Sequence, residues 1–506
     1  MNVLQLPAHI PWLSLIWLCL LVPSVIIMLL PAGQKQAIRA VGTGFAFLSL
    51  VLAALVFLGY DYHSATRFQF VETLPWLPQL GINYTLAVDG ISTPMLLLNG
   101  LVIFTAALVS WNIEERCREY WVLLLMLAVG VYGVFVSIDL FLLFVFYELA
   151  VLPMYLLVGI WGSVRKEYGA LKLTLYLMGG SALIIFGMVA VYFGSGLRTF
   201  DLRLLAQGGL FSRATQVAIF PALFVGFAVL AGMFPFHSWS PVGYAAAPTA
   251  ASMMHAGVLK NLGAYGCIRV ALWLMPYGAS YWMLPLSILV VVGVLYAAVI
   301  AAVQPDMKYM LGYSSVSHMA LTLLGIASGT TIGLTGAVLQ MFAHGAMTAL
   351  FFAVVGRMIY ERTHTRQLPE LGGLLAVMPF TAVLFIIAGL SAMGMPGLAG
   401  FWAELNILMG MWQAYPIIAV LAALAIPVTV TYILRAIHAV FFAPLRNQAF
   451  LSLPKLTWQE RAAGILLAVV VIGCGIFPGI LTEPIASGVA PVAAAVQQAA
   501  QVALGR

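Results

Sequence analysis

Long apolar runs, each closed by a short polar or Gly/Pro-rich gap, repeat along the whole chain. Crossing a hydrocarbon core about 30 Å thick takes about 20 helical residues, and most of the runs reach that length. Runs and gaps together predict fourteen spans, centred near residues 20, 50, 100, 128, 150, 183, 226, 262, 291, 318, 345, 390, 428 and 470, with a second half of the twelfth near 408. Tilted barrel strands of about 10 residues are too short for this spacing. The fold class is therefore an all-α polytopic membrane protein with about 14 transmembrane helices. The first run, from about Ile10 to Leu30, has no basic residue ahead of it and no small-residue cleavage site behind it, so it reads as a retained helix.

Two spans are interrupted. Span 7 ends in AGMFPFHSW, and about 160 residues later span 12 is broken by SAMGMPGLAGFWAE. Proline removes a backbone donor and clashes with the preceding turn, so a break inside a membrane needs protein or water to satisfy the freed groups. Two such breaks in corresponding halves point to a transporter built from two inverted five-helix repeats, with discontinuous helices 7 and 12 and a path near the midplane. The expected division is 1–115 for spans 1 to 3, 116–277 for the first repeat (spans 4 to 8), 278–442 for the second (spans 9 to 13), and 443–506 for a loop, span 14 and a tail.

Composition agrees with this pattern and narrows the function. With 63% hydrophobic and 8% charged residues, the chain is no water-soluble globule. The net charge of +6 invites a nucleic-acid or acidic partner, but the basic residues segregate by side. Lys35, Arg39, Arg116, Arg118, Arg165, Lys166, Lys172, Lys308, Arg357, Arg362, Arg366, Arg435, Arg446, Lys455 and Arg461 fall on one side. Arg67, Arg198, Arg203, Arg213, Arg269 and Arg506 fall on the other. Such asymmetry places the first side in the cytoplasm and both termini outside, and it removes nucleic acid as the reason for the charge. Cys19, Cys117, Cys267 and Cys474 stand apart with no C-x-x-C pair, so no iron–sulfur cluster, haem attachment or disulfide framework is expected. The absence of a Walker sequence argues against an ATP-driven pump.

Ionisable groups within spans are costly, from about 2.5 kcal/mol upward, and mark function by default. Glu148 lies deep in span 5 among apolar residues. Lys260 lies in span 8, where it needs a carboxylate, a water cavity or an interface to snorkel to. Glu404 follows the break in span 12, where a helix start also favours a carboxylate. His237, His255, His318 and His344 fall in or beside spans 7, 8, 10 and 11, and imidazole titrates nearest physiological pH. Each histidine alone is as readily a satisfied core residue as a relay; together with Glu148, Lys260 and Glu404 they read as a row across the membrane plane.

FYELAVLPMYLLVGIWG, FPFHSWSP, HAGVL, DMKYMLGYSSVSHMA, AHGAMTALFF and GMPGLAGFWAE, in that order between about Leu86 and Phe442, resemble the antiporter-like subunit M (chain 4) of bacterial NADH:quinone oxidoreductase, respiratory complex I. The resemblance implies a proton-translocating subunit of the membrane arm, in a bacterial inner membrane. It implies partners of the L-like and N-like antiporter type and lipids, and NADH, FMN, Fe–S clusters and quinone in other subunits, with no cofactor in this chain. Glu148, Glu404, His318 and His344 match the family's pathway positions, and Lys308 matches its basic residue before YSSVSH. Leu230 stands where the family carries a lysine in helix 7, and Asn261 where it carries one in helix 8. Val242 and Tyr244 replace an expected Asp and His. A one-residue shift rotates a side chain about 100°, which would turn Lys260 away from the usual path. Two other readings stay open: a cation/proton antiporter-type subunit of an Mrp-like, hydrogenase-linked or carbon-uptake complex, and a non-conducting spacer of the membrane arm.

Overall fold

The computed structural model describes residues 4–7 and 9–503. The crossing helices are α1 (Trp12–Leu29), α2 (Lys35–Gly59), α3 (Ser92–Val109), α4 (Cys117–Val136), α5 (Leu140–Trp161), α6 (Lys166–Gly194), α7a (Arg213–Ala231) with α7b (Trp239–Ala246), and α8 (249–272). They continue as α9 (Pro276–Val303), α10 (Met307–Ala327), α11 (Thr331–Thr363), α12a (Pro379–Ala392) with α12b (Ala399–Ala414), α13 (Pro416–Phe442) and α14 (Trp458–Ile476), followed by α15 (Gly479–Ala503). Thirteen helices among the described residues are long and apolar enough to cross a membrane, α15 included.

α15 does not cross. Pro484 and Gly488 lie against Gly90 and Ile91 just before α3, while Val496 lies against Gly329 in the α10–α11 turn. Both turns are on one face of the bundle, so the helix between them runs along that face. Its buried residues Leu481, Ile485, Val489, Val492 and Val496 form one 3.6-residue stripe. Removing α15 from the thirteen and adding α8 and the broken α12 gives fourteen crossings.

The polar gap between α2 and α3 folds as an antiparallel hairpin that the sequence reading does not anticipate, β1 (Gln69–Leu77) and β2 (Ile82–Val88). It turns at Gly81, whose φ of +67° favours glycine. The hairpin face gathers the α4–α5 and α6–α7 loops through the bridges Leu86–Ser137 and Asp139–Asp201. On the opposite face Lys35 pairs with Glu114 (2.6 Å), Ser163 donates its N–H to Ala246 (2.7 Å), Asp306 bridges Gln367, and Arg362 reaches the Pro454 carbonyl (3.0 Å). The loops thus alternate strictly between faces, which reproduces the segregation of basic residues; Arg506 lies outside the described residues. The set α4–α8 enters from the opposite face and the set α9–α13 from the hairpin face, so two sets of five run in inverted sense, each with its fourth helix broken.

Two polar joints fix the hairpin face. Pro11 offers no side-chain cap to α1, and Glu72 of β1 supplies one, accepting from Leu13 N (2.7 Å) and Ser14 N (3.1 Å). Glu72→Ala should cost about 1 kcal/mol, as loss of an N-cap does, and thermal unfolding in detergent would register it; an unchanged midpoint means the cap is idle. Deeper in, fully buried Asp89 takes a two-pronged pair from Arg269 (2.8 and 2.5 Å) and a third contact from Arg67 (3.3 Å). Burial pushes the Asp89 carboxyl up, but the Arg269 guanidinium outweighs it and holds the group at about 2.

Candidate functional site

Glycine ends both interrupted helices. At Gly232 (φ +81°) α7a stops with Met233 N bonded back to Ala228 O (2.9 Å), and at Gly394 (φ +67°) α12a stops with Met395 N bonded to Leu390 O (3.0 Å). Both are left-handed helix ends that L side chains adopt at a cost. The carbonyl of Val229 at the first break accepts from Gly232 N (3.0 Å) and also from the Trp239 indole (3.1 Å), so the backbone there stays satisfied.

A charge tip occupies the space beside each glycine. The Lys260 amine lies 3.0 Å from where a Cβ on Gly232 would stand, and Glu404 Oε2 lies 2.8 Å from the equivalent point on Gly394. Lys260 is therefore aimed into the first break, although the one-residue shift alone would turn it aside. The residues just before it, His255–Leu259, form a π-helical turn, in which each residue advances the chain by a smaller angle than in an α-helix. Direction reckoned at 3.6 residues per turn therefore fails here.

Lys260 is fully buried with no carboxylate partner among the described residues. Its amine donates to Ser240 Oγ (3.2 Å) on α7b and Ser315 Oγ (3.3 Å) on α10, and sits 5.7 Å from the centre of the Tyr244 ring. Tyr244 Oη meets His255 Nδ1 at 3.3 Å. One turn past Ser315, on the same face of α10, stands His318. Its Nδ1 lies 3.4 Å from Glu404 Oε1 and 3.5 Å from Gln340 Nε2, and its ring is centred 5.9 Å from that of His344. A cavity of about 20 Å³ between His318, Ser317, Glu404, Met393 and Thr429 is large enough for one water. His255 Nε2, His318 Nε2, both His344 ring nitrogens and Gln340 Oε1 are buried without a protein partner. Buried polar atoms of that kind are where ordered water is expected.

The other candidates stand apart from this line. His237 lies in the α7 break, its ring against Phe234 (5.6 Å) and Tyr296 (5.3 Å) and its Nδ1 unpartnered. Lys308 is in the first turn of α10, where it donates to Ala247 O (2.9 Å) while Arg366 donates to Ala245 O (2.7 Å). These two cations hold the negative end of α7b, so Lys308 sits at the opposite-face end of the bundle rather than in the midplane row. Asn261, in the slot of the expected lysine, ties α8 to α11 by donating to Gly257 O and Met341 O (both 2.9 Å). Leu230 is fully buried in α7a and puts no charge there.

Glu148 is half-buried, and no ion pair reaches it among the described residues; its Oε1 has no partner. It shares the outward face of α5 with Val145, Leu152 and Tyr155, which are 37%, 68% and 44% exposed. Hydrocarbon is a poor solvent for a carboxyl group, so this face suits a protein neighbour. Sequence reasoning passed over Gln340, Ser240 and Ser315, and noted Tyr244 only as a replacement. The signal available was polar residues inside otherwise apolar spans.

The family model described as "NADH:quinone oxidoreductase/Mrp antiporter, TM" matches residues 137–429. NAD(P)H-quinone oxidoreductase chain 4 3 of Trichormus variabilis is 34% identical over 98% of this chain and 94% of its own length. NAD(P)H-quinone oxidoreductase chain 4 2 of Thermosynechococcus vestitus is 36% identical over 94% and 90%. Among solved structures, a chain of respiratory complex I from Thermus thermophilus with bound NADH superposes with a TM-score of 0.88 at 28% identity, covering 96% of this chain and 99% of that one. A chain of the Mrp complex from Dietzia sp. DQ12-45-1b shares the fold, with a TM-score of 0.83 at 21% identity over 96% and 99%. With its fourteen crossings, two broken helices and buried polar line, the chain belongs to the NADH:quinone oxidoreductase/Mrp antiporter transmembrane family and groups with the chain 4 proteins of NAD(P)H-quinone oxidoreductase.

Proposed function

We propose that this chain is an antiporter-like membrane-arm subunit of a proton-pumping NAD(P)H:quinone oxidoreductase, and that protons cross it along the row Glu148, Lys260, His318 with His344, and Glu404. The observation that carries the reading is the run of hydroxyl, imidazole and carboxyl groups from the first break to the second, with α10 presenting Ser315 to Lys260 and His318 to Glu404. His237 and His255 flank the row, and Lys308 anchors its opposite-face end. NADH, FMN, Fe–S clusters and quinone belong to partner subunits, whose electron transfer drives this chain by changing the charge beside Glu148. A shift of charge there alters the carboxyl's proton affinity and passes a proton onward.

The outward placement of Glu148 supports a neighbouring subunit, L-like or N-like, against α5. The inverted sets of helices support repeats at 116–277 and 278–442, with 1–115 and 443–506 as flanking segments. Basic loops on the face opposite the hairpin support an orientation with that face in the cytoplasm of a bacterial cell and both ends of the chain outside the inner membrane.

Leu230 and the unpaired Glu148 favour one competing reading, a spacer that no longer conducts. Glu148→Gln in the intact complex, reconstituted in vesicles, separates the two. The expected result is normal assembly with fewer protons moved per quinone reduced; an unchanged ratio rejects Glu148 as a proton carrier and leaves the spacer reading.

A further inference from the structure

Tyr244 occupies the one position of the first cluster where a hydroxyl stands in place of the expected imidazole. It is fully buried on α7b, its ring packed edge-on against His255 (centres 5.2 Å apart), Trp239 (6.2 Å) and Phe352 (5.7 Å). Its hydroxyl is the protein partner of His255 Nδ1 (3.3 Å), and the hydroxyls of Ser240 and Ser315, the two groups that hold the Lys260 amine, lie near it. A lysine amine, normally buried beside a carboxylate, is here held by hydroxyls alone. Hydroxyls donate and accept in turn, so they pass a proton without keeping a charge.

We infer that the Tyr244 hydroxyl carries the proton between His255 and Lys260, completing a limb of the pathway that runs from the opposite face to the first break. α8 starts on that face, where a cavity of about 200 Å³ opens beside Thr249, Ser163 and Lys308, and His255 lies between this mouth and Lys260. In the transfer, protonated His255 gives the proton on Nδ1 to Tyr244 Oη. The Tyr244 O–H proton moves to Ser240 or Ser315, and that serine's proton moves to the neutral Lys260 amine. Each hydroxyl loses one proton and gains one, so imidazolium becomes imidazole, amine becomes ammonium, and the oxygens end neutral.

The inference rests on the proposed pumping role, and the test keeps the two apart. The complex carrying Tyr244→Phe, Tyr244→His or Glu148→Gln is purified, reconstituted in vesicles and assayed for protons moved per quinone reduced. Phenylalanine keeps the ring packing and removes only the oxygen, so the expectation is an assembled complex whose proton-to-electron ratio falls as far as that of Glu148→Gln, with Tyr244→His recovering most of it. Normal pumping by Tyr244→Phe while Glu148→Gln fails overturns the inference and leaves the pumping role standing. Normal pumping by both overturns the two together. Loss in both tyrosine variants with assembly intact reduces Tyr244 to a packing role and also overturns it. Should Tyr244→Phe fail to assemble, the Ser240→Ala, Ser315→Ala double variant removes the oxygens on the amine side and is expected to show the same loss; normal pumping there overturns the inference.

Discussion

Glu404→Gln is expected to stop proton passage through this chain while leaving the complex assembled. Glutamine keeps the shape that fits beside Gly394 and the hydrogen-bond reach to His318, 3.4 Å away, but it neither binds nor releases a proton near neutral pH. The loss should be at least tenfold in the rate of transfer through this chain, a barrier rise of about 1.4 kcal/mol or more. Vesicle pumping normalised to quinone reduction measures it. Glu404→Asp is the control: it keeps the titrating group but withdraws it by one methylene from His318, so partial pumping is expected. Full pumping by the glutamine variant would remove Glu404 from the row and shift attention to the cavity beside Ser317 and Thr429.

Arg269→Met should give the largest loss of stability in the chain. Asp89 is fully buried and depends on Arg269 for two of its charge-assisted contacts, with Arg67 alone left at 3.3 Å after the substitution. Leaving a buried charge half-compensated costs about 3–5 kcal/mol. The expected outcome is a lower unfolding midpoint or failed assembly, with the Asp89→Asn, Arg269→Met double variant more stable than the Arg269 single. If the single variant loses less than about 1 kcal/mol, the cluster is held by its packing against Phe68, Tyr265 and Trp273 rather than by charge.

How much of this was legible in the sequence depends on the range of the interaction involved. Hydrophobic length marks the crossings, and Pro235, Gly394 and Pro396 mark the two breaks, because both signals are local. The hairpin escaped because its strands mix apolar with polar residues over only nine and seven positions, which is short beside membrane-length runs. α15 escaped because its stripe at Leu481, Ile485 and Val489 is shared by surface and crossing helices alike; what settles its course is contact with Gly90 and Gly329, far away in sequence. The candidates Lys260, His318, His344 and Glu404 were visible as costly groups in apolar spans. Their pairing was not, since the direction of Lys260 depends on π-helical turns, and Tyr244, Gln340, Ser240 and Ser315 gain meaning only when α7b, α10 and α11 are packed together.

The flat course of α15 also governs how the chain is labelled. A hydropathy count that takes α15 as a crossing gives an odd total and places the two ends on opposite sides of the bilayer. In the folded chain α1 begins and α15 ends on the hairpin face, so a reporter fused after Val502 and one fused before Trp12 are expected in the same compartment, and a membrane-impermeant dye added from that side is expected to reach both.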